Sequence, residues 1–125
     1  MQTSVRVDSL KTRASVGVGA FEGTAVRDIA ATEDLEAWLN VFDVGGAGTV
    51  TVNVRTSYLE NPDIAVPADW HEIGVFTTIA ATGIPTPLAF TRGDTPLGRF
   101  VSVIGSVAAN AVEFEVVMVA KEPSN

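Results

Sequence analysis

The chain has 125 residues and no cysteine, which excludes disulfide frameworks, thiolate metal sites and cysteine nucleophiles. Its length predicts one domain over residues 1–125. Acidic residues outnumber basic ones 15 to 8, and the net charge of −7 argues against nucleic-acid binding, which needs clustered Lys and Arg. Only 18% of the residues are charged and 46% are hydrophobic, so either small polar loops solvate the surface or partners bury part of it.

The start of the chain, "MQTSVRVDSLK", has no apolar core of signal-peptide length, and no segment approaches the roughly 20 apolar residues of a membrane span. We therefore expect a soluble chain made in the cytoplasm, without membrane contact. Period-2 alternation in "SVRVDSL" (4–10) and "ASVGVGAF" (14–21) predicts two strands. Residues 1–13 are predicted to form an N-terminal arm or an edge strand.

The segment 32–42 fits two secondary structures. As a strand over 36–44, "EAWLNVFDV" alternates Ala37, Leu39 and Val41 against Trp38, Asn40 and Phe42. As a helix, it would have Thr32 as N-cap and a stripe of large apolar side chains on one face. The strand is favoured, because the segment runs directly into a glycine loop and leaves no room for a helix C-cap.

The segment "TVTVNVRTS" (49–57) alternates valines with polar residues and predicts a half-buried strand. The preceding "GGAG" (45–48) contains glycines that tolerate the positive φ angles of a tight loop. Residues 36–44 and 49–57 are therefore predicted to pair as an antiparallel hairpin.

Three more strands are predicted at 72–79, 97–107 and 112–121, separated by the turn clusters "ATGIPTP", "TRGDTP" and "AAN". Proline is excluded from inner strands, and all six prolines fall in predicted connections except Pro123. Seven or eight short strands at this spacing predict an all-β fold, an antiparallel β-sandwich of jelly-roll type.

The last predicted strand, "VEFEVVMVAK", changes character halfway. Glu113 and Glu115 mark a wet outer face, but Val117 and Val119 continue that same face with apolar side chains. Such a surface needs cover, either from the chain's own N-terminal segment around Val5 and Val7 or from a neighbouring subunit. We assign Val117, Val119, Val5 and Val7 to a predicted interface.

No constellation of residues indicates catalysis. The only histidine, His71, stands in "ADWHEIG" beside carboxylates that could orient a general base. Neighbouring side chains of a strand point to opposite faces, so this stretch alone does not place His71 against a carboxylate. The acidic clusters at 28–36 and 60–69 lack the alternating spacing of calcium loops and are interpreted as solvated loops. We predict no enzymatic activity, no cofactor and no metal site.

A second set of residues indicates where a ligand would bind. Most aromatic side chains fall in register with apolar strand faces and are predicted to be core. Tyr58, Trp70 and His71 lie instead at strand ends that flank the long loop "YLENPDIAVPAD", and we assign them to a ligand-binding site. "RGD" at 92–94 matches the tripeptide that integrins recognise, but it is interpreted as a turn before a proline.

The order of these elements resembles small β-sandwich structural proteins of tailed bacteriophages and related particles. The resemblance covers residues 36 to 121 and is carried by "LNVFDVGGAGTVTVNVRTS", "DWHEIGVFTTIAATG", "LGRFVSVIGSV" and "VEFEVVMVAK". A weaker similarity, to discoidin-like carbohydrate-binding sandwiches, rests on the order of the "TS" strand, the tryptophan loop and "RFV". The chain departs from that second family in lacking its cysteines and in having Ser102 where a basic residue is common.

The phage resemblance implies a virion structural protein, either a capsid decoration or cement protein or a component of the head, neck, spike or tail. Its partners would be copies of itself, with a trimer expected first, and a major capsid or other virion protein. The alternative is a module that binds a carbohydrate or receptor through Tyr58, Trp70 and His71.

Overall fold

The structure is a computed structural model that describes residues 2–83 and 85–123, with only the backbone at 2–4. Its nine strands are β1 Gln2–Val16, β2 Gly19–Glu22, β3 Arg27–Asp28, β4 Asp34–Asp43, β5 Thr49–Ser57, β6 His71–Ile79, β7 Thr86–Thr91, β8 Phe100–Ala108 and β9 Val112–Pro123. A single 3-10 turn, Pro67–Asp69, lies between β5 and β6. In the part of the chain that is described, no helix is long and apolar enough to cross a membrane.

The strands form two antiparallel sheets. A four-stranded sheet has the order β1-β9-β4-β7, and a five-stranded sheet has the order β2-β8-β5-β6 with β3 also paired to β8. Because β2 and β3 both pair with β8, they behave as two parts of one interrupted strand. The two sheets then have the interleaved strand order of a jelly roll, which confirms the predicted antiparallel β-sandwich.

The core lies between the two sheets and is built from alternate residues of each central strand. In β9 the predicted inner residues Val112, Phe114, Val116, Met118 and Ala120 are fully buried. Alternation also holds in β4 and in β5 as far as Val54, where apolar side chains point inward because successive residues of a strand face opposite sides. The rings of Phe21 and Phe114 meet across the sandwich with centroids 5.1 Å apart.

The predicted hairpin between 36–44 and 49–57 is wrong. Both segments are strands, but β4 pairs with β7 and β9 while β5 pairs with β6 and β8. The glycine loop therefore carries the chain from one sheet to the other, and the apolar faces of β4 and β5 meet across the core. Gly48 makes this corner possible, since a Cβ atom there would lie 2.5 Å from the Val44 carbonyl oxygen.

Three other expectations are revised. The helical alternative for 32–42 is excluded, because Asp34–Asp43 is a strand. The predicted strands 4–10 and 14–21 become one long strand, β1, with register shifts between Ser9 and Ala14, followed by the short β2. Strand β7 was missed because its Pro87 argued for a turn. Pro87 is tolerated in β7 because β7 is an edge strand, where a residue without a backbone N–H does not break a hydrogen bond between inner strands.

Candidate functional site

An apolar band crosses the outer face of the four-stranded sheet. One row of laterally paired residues contains Val7, Val119, Glu36 and Ala89, and the next contains Ser9, Val117, Trp38 and Pro87. Directly paired residues of antiparallel strands project on the same side, so these side chains form one continuous surface. Val7 is 63% exposed and Val5, which continues the band along β1, is 65% exposed.

Polar pairs bound the band on both sides. Towards the start of β9, Glu113 forms an ion pair with Arg13 at 3.0 Å, and Glu115 accepts a hydrogen bond from Asn40. Towards its end, Lys121 lies 3.4 Å from Glu36, and this polar pair also interrupts the band between Val119 and Ala89. The predicted change from a wet to an apolar outer face within β9 therefore corresponds to a real boundary.

The N-terminal segment does not cover Val117 and Val119. Residues 2–13, which were predicted as an arm or an edge strand, lie within β1 beside β9 in the same sheet, while Met1 is outside the described residues. Val5 and Val7 consequently widen the apolar surface instead of shielding it. The described part of the N-terminal segment is therefore not the predicted cover, and cover by a neighbouring molecule stays a prediction.

On the opposite sheet, Arg55 fastens the long loop 58–70 to the outer face. Its side chain is only 5% exposed. The guanidinium group donates hydrogen bonds to the Ser102 hydroxyl at 2.8 Å and to the Ile64 carbonyl within the loop. Burial lowers the pKa of Arg55, and the negative charge of Glu22 opposes this effect. No pattern in the sequence indicated this role of Arg55, because outward polar residues of strands are usually solvated.

Trp70 belongs to this loop anchor and not to an open ligand site. Its ring lies over the Arg55 guanidinium, with 4.9 Å between the guanidinium carbon and the ring centroid. Its indole N–H donates to the Asp63 carbonyl at 2.8 Å. Asp63 in turn is held by Asp69, whose carboxylate accepts from the Asp63 N–H. One face and the polar edge of Trp70 are therefore occupied within the molecule.

Tyr58 and His71, the other two predicted ligand residues, line the same depression. It has a volume of about 390 Å³ and is lined by Thr56, Tyr58, His71, Pro96, Leu97 and Gly98. Tyr58 and His71 lie at the same depression because Thr56, near the end of β5, pairs with His71 at the start of β6. Tyr58 is 84% exposed, and His71 is also exposed.

The floor of this depression is tightly fixed. The Thr56 hydroxyl donates to the Phe100 carbonyl and accepts from the Gly98 N–H, so its hydrogen-bonding capacity is used internally. Gly98 approaches so closely that a Cβ atom there would lie 2.5 Å from the Ser57 carbonyl oxygen. The segment that carries Pro96 and Leu97 is thus pressed against the end of β5.

The 92–94 "RGD" segment forms part of a turn, as the sequence indicated. The guanidinium group of Arg92 donates to three backbone carbonyls, those of Thr32, Leu97 and Ile29, at 2.6 to 2.8 Å. This arginine therefore links two connections at one end of the sandwich, the β3–β4 connection with Ile29 and Thr32 and the β7–β8 connection with Leu97. Its contacts point inward, which leaves the tripeptide without a free arginine for a receptor.

Within residues 2–83 and 85–123, no group of three histidine, aspartate or glutamate side chains is arranged to hold a metal ion. His71 stands apart from the carboxylate-rich part of the loop, and the nearest strand neighbour, Glu72, accepts a hydrogen bond from Asn53. The described residues offer three surfaces for function: the apolar band, the Tyr58–His71 depression, and a wider depression of about 710 Å³ lined by residues 30–33, 91–93, 122 and 123.

A scan against protein-family models finds no match, and a search of curated proteins finds none either. Among solved structures, the chain is similar to a protein of Bacillus endospore appendages, which are described as a novel family of disulfide-linked pili. The TM-score is 0.53 at 15% sequence identity, and the alignment covers 99% of this chain and 93% of that chain. At this identity the likeness shows a shared fold.

Proposed function

We propose that the protein is a non-enzymatic structural subunit that assembles with copies of itself into an extracellular fibre or particle. The observation that carries this proposal is the apolar band with Val5, Val7, Val117 and Val119 on the outer face of the four-stranded sheet. Val5 and Val7 are exposed and Val117 and Val119 are half-buried beside them, and an apolar patch of this kind with a polar border is typical of a protein contact. The low charge content of the chain agrees with this role.

The structural neighbour supports a role in assembly, because it is a pilus protein. Its pili are described as disulfide-linked, whereas these 125 residues contain no cysteine. Copies of this domain would therefore associate through apolar burial and hydrogen bonds instead of disulfides. Stable interfaces bury about 1,600 Å² in total, which a sheet face extended by β1 can supply in large part.

The finer proposal is that the assembly is a virion, with the protein as a capsid decoration protein or a head or tail component. It rests on the resemblance of residues 36–121 to phage sandwich proteins. The outer band would then contact either a second copy or a shell protein. A trimer remains the first oligomer to be tested, since threefold positions on capsids commonly carry such proteins.

Sedimentation velocity over a range of concentrations tests the proposal with two matched variants. Val7 and Val18 are both 63% exposed, but only Val7 lies in the band. We expect the wild type to form oligomers, Val7→Glu to shift the population towards monomer, and Val18→Glu to behave like the wild type. A wild type that stays monomeric at all concentrations, or equal effects of both variants, would refute self-assembly through this face.

A further inference from the structure

We infer that the depression between Tyr58 and His71 binds a pyranose ring of a neutral glycan. This function is separate from self-association, because the depression lies at one end of the sandwich and shares no residue with the apolar band. Its volume of about 390 Å³ falls at the lower end of the range for small-molecule sites.

The lining has the chemistry that a sugar ring requires. Pyranoses have faces of C–H groups and a rim of hydroxyls, so they bind to an aromatic or apolar wall with polar groups at its edge. Tyr58 and Pro96, which are exposed, and the largely buried Leu97 form the apolar wall. The Tyr58 hydroxyl and the two ring nitrogens of His71 can donate and accept hydrogen bonds at its rim. Exposure of Tyr58 leaves its ring open to a ligand.

The charge of the site favours a neutral sugar over an acidic one. The six lining residues include no Lys, Arg, Asp or Glu. The whole chain carries a net charge of −7, so a carboxylated or sulfated glycan would approach against a repulsive field, with no Lys or Arg in the lining to bind it. Neutral hexoses are unaffected by this field.

The site is also built in advance of binding. Thr56 and Gly98 are joined by a hydrogen bond of 2.8 Å, and the Arg99 N–H donates to the Ser57 carbonyl at the same distance. Arg92 holds the Leu97 carbonyl from the other side. Because these hydrogen bonds fix the floor of the depression, ordering the floor costs little conformational entropy on binding.

An array of neutral and acidic glycans probed with the full chain, followed by calorimetric titration of the best ligand, tests the inference. We expect binding to a neutral glycan, an affinity at least about tenfold lower in Tyr58→Ala, and a smaller loss in Tyr58→Phe, which keeps the ring. The matched control is Val75→Ala, since Val75 is 38% exposed on β6 but lies outside the depression. Circular dichroism and the thermal midpoint show whether each variant is folded.

Three outcomes would overturn the inference. One is that no glycan binds to the folded wild type, and another is that binding is unchanged in Tyr58→Ala. The third is that only acidic glycans bind. If no glycan binds and Tyr58→Ala lowers the sedimenting mass, the depression is a contact between copies of the protein instead of a glycan site.

Discussion

Val7 of β1 and Val119 of β9 lie directly opposite each other and face outwards from the same side of the four-stranded sheet. Their pairing joins the apolar side chains of β1 and β9 into one surface, whereas the sequence had suggested the segment around Val5 and Val7 as a cover for β9. Val7 is well exposed, and the neighbouring Val5 is exposed to the same degree. A second molecule would therefore bury most apolar area where Val5 and Val7 of β1 lie beside Val117 and Val119 of β9.

The contrast between Val117→Glu and Glu115→Val tests how far the contact extends along β9. Val117 lies between Ser9 and Trp38 within the band, whereas Glu115 accepts a hydrogen bond from Asn40 at its border. We expect Val117→Glu to abolish or strongly weaken assembly, because a carboxylate would be desolvated in the interface. Glu115→Val should leave assembly intact and lower the free energy of unfolding by about 1 kcal/mol through the lost hydrogen bond.

Sedimentation velocity and urea denaturation of the two variants provide these measurements. Equal tolerance of both substitutions would show that this end of β9 simply faces water.

The alternation of side chains allowed the faces of the strands to be predicted, but not their neighbours. In β9 the inner position of Phe114 and the outer position of Val117 follow from a period of two residues. The same period in β4 and β5 is satisfied whether the strands pair side by side or face each other across the core. A period of two residues determines which face of a strand is buried, but not which strand it pairs with. The hairpin prediction failed for this reason.

The ligand residues show a similar limit. Tyr58 and His71 share a depression because they lie at the adjacent ends of paired strands, which their positions at strand ends already indicated. Trp70 was placed with them, but its ring stacks on Arg55. That contact depends on how loop 58–70 folds over the sheet, and no local pattern in the sequence encodes the path of such a loop.

Gly105 should be intolerant of any side chain. A Cβ atom there would lie 2.0 Å from the Thr51 carbonyl oxygen and 2.7 Å from the ring of Phe21. Because Phe21 also packs on Phe114, the ring cannot move without disturbing the core. We expect Gly105→Ala to lower the free energy of unfolding by about 3 kcal/mol or more, as for other overpacked sites.

Gly93→Ala is the matched control, since nothing lies within 4 Å of a Cβ atom at that position. It should leave the urea midpoint nearly unchanged. A Gly105→Ala protein as stable as this control would contradict the close approach of β5, β8 and Phe21.

Arg55→Met should release loop 58–70 while the sandwich stays folded. Methionine preserves much of the volume but removes the hydrogen bonds to Ser102 and Ile64 and the cation over Trp70. We expect faster hydrogen exchange and earlier proteolysis within the loop. The control is Arg99→Met, which replaces an exposed arginine whose guanidinium lies over Phe100. Unchanged protection of the loop in Arg55→Met would show that other contacts suffice to hold it.

The pH dependence of Arg55 has a defined sign. Burial lowers its pKa, so the charged form is less favourable in the folded protein than in the unfolded chain. This cost is present at every pH below the folded pKa and is relieved only in strong alkali, because arginine remains protonated at ordinary pH. The stabilities of the wild type and Arg55→Met should therefore run parallel between about pH 6 and 9. Curves that diverge in this range would point to a different titrating group at the loop anchor.

Arg92→Lys should destabilise the fold more than its conservative chemistry suggests. The guanidinium group reaches the carbonyls of Thr32, Leu97 and Ile29 together, and the three nitrogens of its planar fork are all used. A single ammonium cannot match these three directions, so we expect a loss of about 2 to 3 kcal/mol in urea denaturation. Asp94→Ala, in the same turn and exposed, should change stability by less than about 0.5 kcal/mol.

Cell-adhesion assays provide a second readout: because Arg92 is engaged internally, the folded protein should not support integrin-dependent attachment. Attachment that is lost in Asp94→Ala would show that the turn presents its tripeptide to a receptor after all.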